Sequence, residues 1–319
     1  MQYKSTVVTF FFDLSTVDDY VPNNRSIDFY IKNGRNTLMI DRPMVIFCDP
    51  SHKNKIEEIR NEYCPTIPTV YIEKNLQEYD HYKLNWPLLD KNHVHSNTRV
   101  NRSYFLTMTF KYVALLIAAK RNDFSTSHYT WIDFGCSHVA PKDFVESARA
   151  LLDNPRPRIG VCYIRHRYKD DLVNSETFCN KGGCGIGGGV ISVERDYMFK
   201  LYPRYMRIFY EHVEKTIWYS DEQIMTYVHH RHPELFDIYY GDYKSLLTNY
   251  IAIQDDWHHI RWFFINEAVK VGDYVSAKKA LDKLLESLNK GLIKDISDSD
   301  KAGLFSLSEE INNGAKQHK

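Results

Sequence analysis

The chain shows no excess of charge of either sign: across 319 residues, Lys plus Arg and Asp plus Glu both number 41. Nucleic acid and anionic bilayers are recruited by a basic field, which this balance excludes except as a local patch. Long hydrophobic runs are also missing, since nothing approaches the ~18 apolar residues that cross a bilayer. The apolar stretch from Val7 to Phe12 breaks at Asp13 and follows a single basic residue, Lys4. That is too short for a signal segment and reads as a first strand. Cysteine is sparse. The six thiols (Cys48, Cys64, Cys136, Cys162, Cys179, Cys184) lie scattered, with no spacing of a disulfide framework, so a soluble protein of a reducing, cytoplasmic compartment is expected.

What is present is core material, with 43% hydrophobic and 14% aromatic residues. Three apolar, β-branched or aromatic runs each end on an aspartate: VVTFFFD at 7 to 13, PMVIFCD at 43 to 49 and YTWID at 129 to 133. Continuous apolar runs of this length suit strands covered on both faces. Between the second and third, Tyr104, Phe105, Met108, Tyr112, Leu115, Leu116 and Ala119 fall near helical spacing, which predicts a helix from about 100 to 120. Pro141 opens a further helix, IGVCYI at 159 to 164 is a strand, VISVERD follows a Gly-rich segment, and FDIYY at 236 to 240 is the last strand. The alternation is βαβ grammar, an α/β fold with a mostly parallel sheet. An aromatic helix from Tyr197 should kink at Pro203. From Trp257 the chain reads helical. There NEAVKVGDYVSAKKALDKLLESL looks like one tetratricopeptide-like hairpin, which alone lacks neighbours to bury its faces. The expected division is therefore 1–265 as the main domain and 266–319 as a helical cap, with a loosely ordered polar tail from about Ser297.

Asp133-Phe134-Gly135 spells a kinase motif, yet no phosphate loop, strand lysine or His-Arg-Asp loop precedes it, and a kinase needs them in that order. Gly183, Gly185 and Gly188 spell G-x-G-x-x-G, but a polar segment precedes and a strand follows, the reverse of a dinucleotide fingerprint. Such a segment is either a flexible loop or backbone lying where a side chain would collide. Cys179 with Cys184, and the histidines of HHRH at 229 to 232, lack companions at zinc spacing. The strand-end aspartates Asp13, Asp49 and Asp133 can converge where open α/β sheets bind ligands, or simply end strands as turn formers. Asp221 and Glu222, in SDEQIMTYV, are either acids complementing a helix N-terminus or the carboxylates that sugar transfer needs beside a developing oxocarbenium centre or an acceptor hydroxyl.

In order along residues 6 to about 270, VVTFFFDL, PMVIFCD, TWIDFGCSH, GGGVIS and DEQ resemble the HtrL/YibB family of glycosyltransferase-like proteins. The resemblance implies a GT-A-like fold with a C-terminal helical extension, and transfer of a sugar from a nucleotide-diphosphate donor, with a UDP-sugar the one to expect, to a glycan or protein acceptor. It implies that Thr9, Phe11, Asp13 and Asp49 face the nucleotide and that Asp133 is the first aspartate of an Asp-x-Asp motif. Gly187, Gly188 and Gly189 would line the acceptor side, and Asp221 or Glu222 would face the reaction centre. Gly135 stands where a second aspartate belongs. A divalent ion, Mn²⁺ or Mg²⁺, would then be held by Asp133 with His258 or His259, and His138 next in line. Arg102, Lys111, Arg165 and Arg167 are candidates for donor phosphates. Two other expectations stand beside transfer: a binding protein that has lost catalysis, motivated by Gly135, and a scaffold using the C-terminal hairpin.

Overall fold

The structure, a computed structural model, describes residues 3–21, 26–90, 100–167, 178 and 184–317, the side chains of 315–317 excepted. Cys179, Gly182 and Gly183 lie outside the described residues. Seven strands form one sheet in the order β3-β2-β1-β4-β6-β5-β7. They are β1 (Ser5–Phe11), β2 (Met44–Cys48), β3 (Thr69–Glu73), β4 (His128–Ile132), β5 (Ile159–Tyr163), β6 (Ile186–Glu194) and β7 (Phe236–Tyr240). β1 pairs in parallel with β2 and β4, β2 with β3 and β5 with β7, while β6 runs antiparallel to both its neighbours. This is a mixed, mostly parallel sheet flanked by helices, the α/β arrangement expected from the sequence.

The strands form where they do because both sheet faces are covered, so alternate residues each find a core. On one face Val7, Phe11, Ile46, Ile132 and Val190 pack with α1 (Ile27–Leu38), α2 (Pro50–Tyr63) and α5 (Phe144–Asp153). On the other, Val8, Val45, Trp131 and Ile191 pack with α4 (Arg102–Arg121), α6 (Arg195–Glu214) and α7 (Asp221–Arg231). The short α3 (Asp80–Asn85) lies on that second side, its Tyr82 in the same core. β3 escapes a reading from hydrophobicity because TVYIE is a half-buried edge strand, and α2 because PSHKNKIEEIRNEY is mostly polar and buries three residues. α6 runs through Pro203 without interruption.

The C-terminal part is helical throughout. Trp257–His259, the π-helical Ile260–Asn266 and Glu267–Lys270 form one continuous segment, α8, and the expected boundary at 265 falls inside it. Gly272, at φ +77°, ends α8. Its N–H bonds the Val269 carbonyl and the Asp273 N–H bonds that of Ala268, both at 2.9 Å, a left-handed cap that favours glycine. α9 (Tyr274–Asn289) and α10 (Asp298–Gln317) follow. The tail expected to be loosely ordered is thus a helix. Its Leu304, Leu307 and Ile311 make an apolar stripe at helical spacing within a polar composition, and Leu304 and Ile311 enter the same core as the sheet.

Candidate active site

β4 carries Asp133 to the carboxyl end of the sheet, and β6 starts beside it: the Asp133 N–H donates to the Gly189 carbonyl at 3.0 Å. α4 passes beneath with Lys111, while α7 points its first turn at β6. Ser220 caps α7, accepting from the Gln223 N–H. Thr226 Oγ1, one turn on, accepts from the N–H groups of Gly185 and Ile186 at 2.9 and 3.2 Å. These bonds fix the register between the first turn of α7 and the glycine strand.

Lys111 is the hub. Its Nζ lies 2.9 Å from Asp221 Oδ2 and 3.5 Å from Asp133 Oδ1, and it donates to the Gly188 carbonyl at 3.0 Å. An ammonium has three donors, and here three oxygens from three elements surround it. The Lys111 and Asp221 side chains are 5% and 3% exposed. Burial would draw the Lys111 ammonium down, but the charges of Asp133 and Asp221 outweigh it and hold the group above its ordinary value. Burial pushes the Asp221 carboxyl up, partly offset by Lys111. Tyr112 adds a long contact, its hydroxyl 3.5 Å from Asp221 Oδ2.

Glu222 faces the other side of the same turn. Its Oε1 accepts from the Gly188 N–H at 2.7 Å and its Oε2 from the Tyr243 hydroxyl at 2.6 Å. Burial, and then the neighbouring Asp221, push this carboxyl up to about 7, against the lowering effect of those two hydrogen bonds. Gly188 is required by space, since a Cβ there would sit 2.7 Å from Asp221 Oδ2 and 3.2 Å from Lys111 Nζ. Gly187 and Gly189, pointing the opposite way, abut Leu246. Of the two readings of the glycine segment, close backbone approach therefore holds for 187 to 189.

Asp133 is the outward member of the cluster, its side chain 45% exposed. Trp131 Nε1 donates to its Oδ1 at 2.6 Å, which anchors one oxygen. At Gly135 a Cβ would meet nothing closer than 3.5 Å, so glycine there is not dictated by space.

The other sequence candidates have partners of their own. Asp13 caps the turn Leu14–Thr16, accepting from the Ser15 N–H, and lies 3.6 Å from His52. Asp49 precedes α2 and accepts from the Asp13 N–H at 2.5 Å, burial raising its carboxyl. Thr9 is fully enclosed in β1, and Phe11 is buried against Tyr30, His52 and Phe134; neither side chain offers an open surface. Arg102 stacks on Trp86 at 3.7 Å. Arg165 lies 3.6 Å from Glu267, and Arg167 donates to the Cys184 carbonyl.

The expected metal ligands are not assembled. Among the described residues no group of three or more His, Cys, Asp or Glu side chains is placed to share an ion. His259 Nε2 bonds the Ile164 carbonyl at 2.7 Å, His258 lies against Trp257, and His138 Nδ1 is held by the Gly135 carbonyl at 2.5 Å. With Asp133 Oδ1 engaged by Trp131 and Lys111, and glycine at 135, these residues alone do not complete a coordination shell, and an ion there would take its other ligands from donor phosphates and water. Lys111 supplies a fixed positive charge at this place.

Two participants escape a sequence reading. Tyr243 reaches Glu222 from the loop after β7, and nothing local marks it. Trp131 shares a strand face with Asp133, two residues on, and that period was a usable signal.

A sequence profile described as "Bacterial protein of unknown function (HtrL_YibB)" matches residues 3–252. The chain belongs to the HtrL/YibB family. No curated protein matches it. Among solved structures, mouse xyloside xylosyltransferase 1 in its apo form is similar at 9% identity and a TM-score of 0.43, over 75% of this chain and 85% of that one. A cytidylyltransferase from Leptospira borgpetersenii serovar Hardjo-bovis gives 12% and 0.37, over 76% of each chain. Core-mannan synthase A from Aspergillus fumigatus, in an Mn/GDP form, gives 10% and 0.33, over 75% and 73%. At these TM-scores the likenesses say nothing of substrate or metal. Among the described residues no helix is long and apolar enough to cross a membrane.

Proposed function

We propose that this HtrL/YibB protein is a glycosyltransferase that moves a sugar from a nucleotide-diphosphate donor to an acceptor hydroxyl, with Glu222 as base. The observation that carries this is the half-buried Glu222 carboxyl, raised to about 7 and oriented at both oxygens, beside the outward Asp133 at the carboxyl edge of the sheet. A general base works best with a pKa near the working pH. Asp221 is sequestered by Lys111 and has no such freedom. In the reaction Glu222 takes the proton of the acceptor hydroxyl as its oxygen bonds the anomeric carbon, while the bond from that carbon to the diphosphate breaks and its electron pair leaves with the nucleotide. Lys111 keeps the site from carrying three uncompensated carboxylates, which would repel a diphosphate. Asp133 and the β1 and β2 ends are the donor side, and the 187 to 189 strip with Glu222 is the acceptor side.

The test pairs nucleotide-sugar thermal shifts with turnover for the wild type and Glu222→Gln. A native-state ligand at 100 times its dissociation constant adds about 2.7 kcal/mol. We expect a shift with one nucleotide class in both proteins, and transfer lower by about 10²-fold or more in the variant. In the wild type the rate should climb with pH as Glu222 deprotonates near about 7. A shift without turnover would leave a binding protein; no shift with any nucleotide sinks the donor assignment.

A further inference from the structure

Beside the acceptor edge lies an open cleft of about 470 Å³, formed where α8 meets the turn before it and the loop before α10. Its size is that of small-ligand clefts, roughly 300–1,000 Å³. Trp257, His258, Trp262 and Phe263 line it together with Asp256 and Asp295. The indole of Trp262 is 57% exposed, unusual for the largest apolar side chain. It is held outward by the π-helical stretch Ile260–Asn266, a rare geometry that tends to mark functional places. Arg261 lies against that ring, 5.5 Å from its centroid. At the turn, Asp256 adopts the left-handed conformation at φ 55°, and among the described residues its buried Oδ2 has no hydrogen-bond partner. A buried acceptor without a donor is costly unless a ligand supplies one.

The lining decides the ligand class. No lysine or arginine lines the cleft, whereas three aspartates, Asp255, Asp256 and Asp295, do. Of the nearby cations, Lys142 is engaged by Asp255 at 2.6 Å, Arg165 sits over Phe263 and near Glu267, and Arg261 on the Trp262 ring lies 3.9 Å from Asp300. A nucleotide diphosphate would be repelled. A neutral polyhydroxylated ring fits, its C–H face on an indole and its hydroxyls donating to carboxylates. Location agrees: His259 of the cleft lies 3.8 Å from Asp242, and the next residue, Tyr243, holds Glu222. We propose that this cleft is a saccharide subsite for the acceptor, with Trp262 as its stacking platform and Asp256 as a hydroxyl acceptor. The acceptor role, though not the saccharide binding itself, rests on the glycosyltransferase reading.

The experiment screens the full chain on an oligosaccharide array, then titrates a bound saccharide by tryptophan fluorescence and calorimetry in the wild type, Trp262→Ala and Asp256→Asn. Expected are binding about tenfold weaker in Trp262→Ala and unchanged nucleotide thermal shifts in that variant. An unshifted melting temperature for Trp262→Ala certifies its fold. Full affinity in both Trp262→Ala and Asp256→Asn overturns the cleft as the site even if transfer is real, and so does an array with no bound saccharide. Binding of spermidine in place of any saccharide, lost in Asp295→Asn, would make it a cation site and also overturn the proposal. Saccharide bound through Trp262 with no turnover of any donor would keep the site and remove the transferase reading.

Discussion

Three strands of this protein are followed by an aspartate, and neighbouring strands use it differently. At β1 and β2, Asp13 and Asp49 are absorbed by the backbone: one caps a turn through the Ser15 N–H, the other receives the Asp13 N–H. At β4, Asp133 leaves its backbone to Gly189 and turns its carboxylate toward Lys111 and open space. The same residue at the same kind of position is a turn former in one place and part of a charge cluster in the other. The difference lies in what stands opposite. Beyond β1 and β2 there are backbone N–H groups of the turn at Asp13 and Ser15, and beneath β4 there is a buried ammonium that needs acids.

Breaking the cluster should have the largest effect. Lys111→Met leaves Asp221, 3% exposed, buried without its counter-charge, and urea unfolding should show a loss of about 3–5 kcal/mol. The double variant Lys111→Met/Asp221→Leu should recover most of it; no recovery would mean that Lys111 acts through packing alone. Next comes the close approach of β6. Gly188→Ala places a methyl 2.7 Å from Asp221 Oδ2, so a loss of about 1–3 kcal/mol is expected, together with disturbed Glu222 function through its bond to the Gly188 N–H. A wild-type melting curve for Gly188→Ala would refute the close packing.

A pH experiment sharpens the comparison. Glu222 is raised from 4.5 to about 7 in the fold, so the native state binds its proton more tightly than the unfolded chain. That contribution to stability is full below pH 4.5 and is lost as pH rises to about 7. Glu222→Gln, which never ionises, should therefore melt higher than the wild type at pH 8, with the gap closing toward pH 4.5. A pH-independent difference would contradict the raised carboxyl. The smallest effect belongs to the aspartate after β1: Asp13→Ala should cost about 1 kcal/mol as a lost cap and leave the ionisation of Glu222 unchanged in a pH titration of stability.

Much of the architecture was legible. The runs at 7 to 13, 43 to 49 and 129 to 133 hold strands because they are apolar on both faces, and the helix from Arg102 follows its spacing. β3 and α2 were not legible, since an edge strand and a surface helix bury too little to leave a pattern. The tail was misread from its polar composition, though Leu304, Leu307 and Ile311 carried the period. At the site, Asp133, Asp221, Glu222 and the glycines were nameable one by one, but each also had a bland reading, as a turn former, a helix N-terminal acid or a flexible loop. The partners of the histidines chosen as ligands, the Ile164 carbonyl for His259 and the Trp257 ring for His258, cannot be seen in one dimension.

The sequence by itself determined the elements and their family, because hydrophobic period, β-branched runs and turn residues act over a few positions. The tertiary structure decided what the charged residues are for. Lys111, Asp133, Gly188 and Asp221 are up to 110 positions apart, from Lys111 to Asp221, and meet because β6 inserts antiparallel between β4 and β5. Burial there sets both the value of Lys111 as a counter-charge and the raised carboxyl of Glu222, and burial is a property of the packed fold.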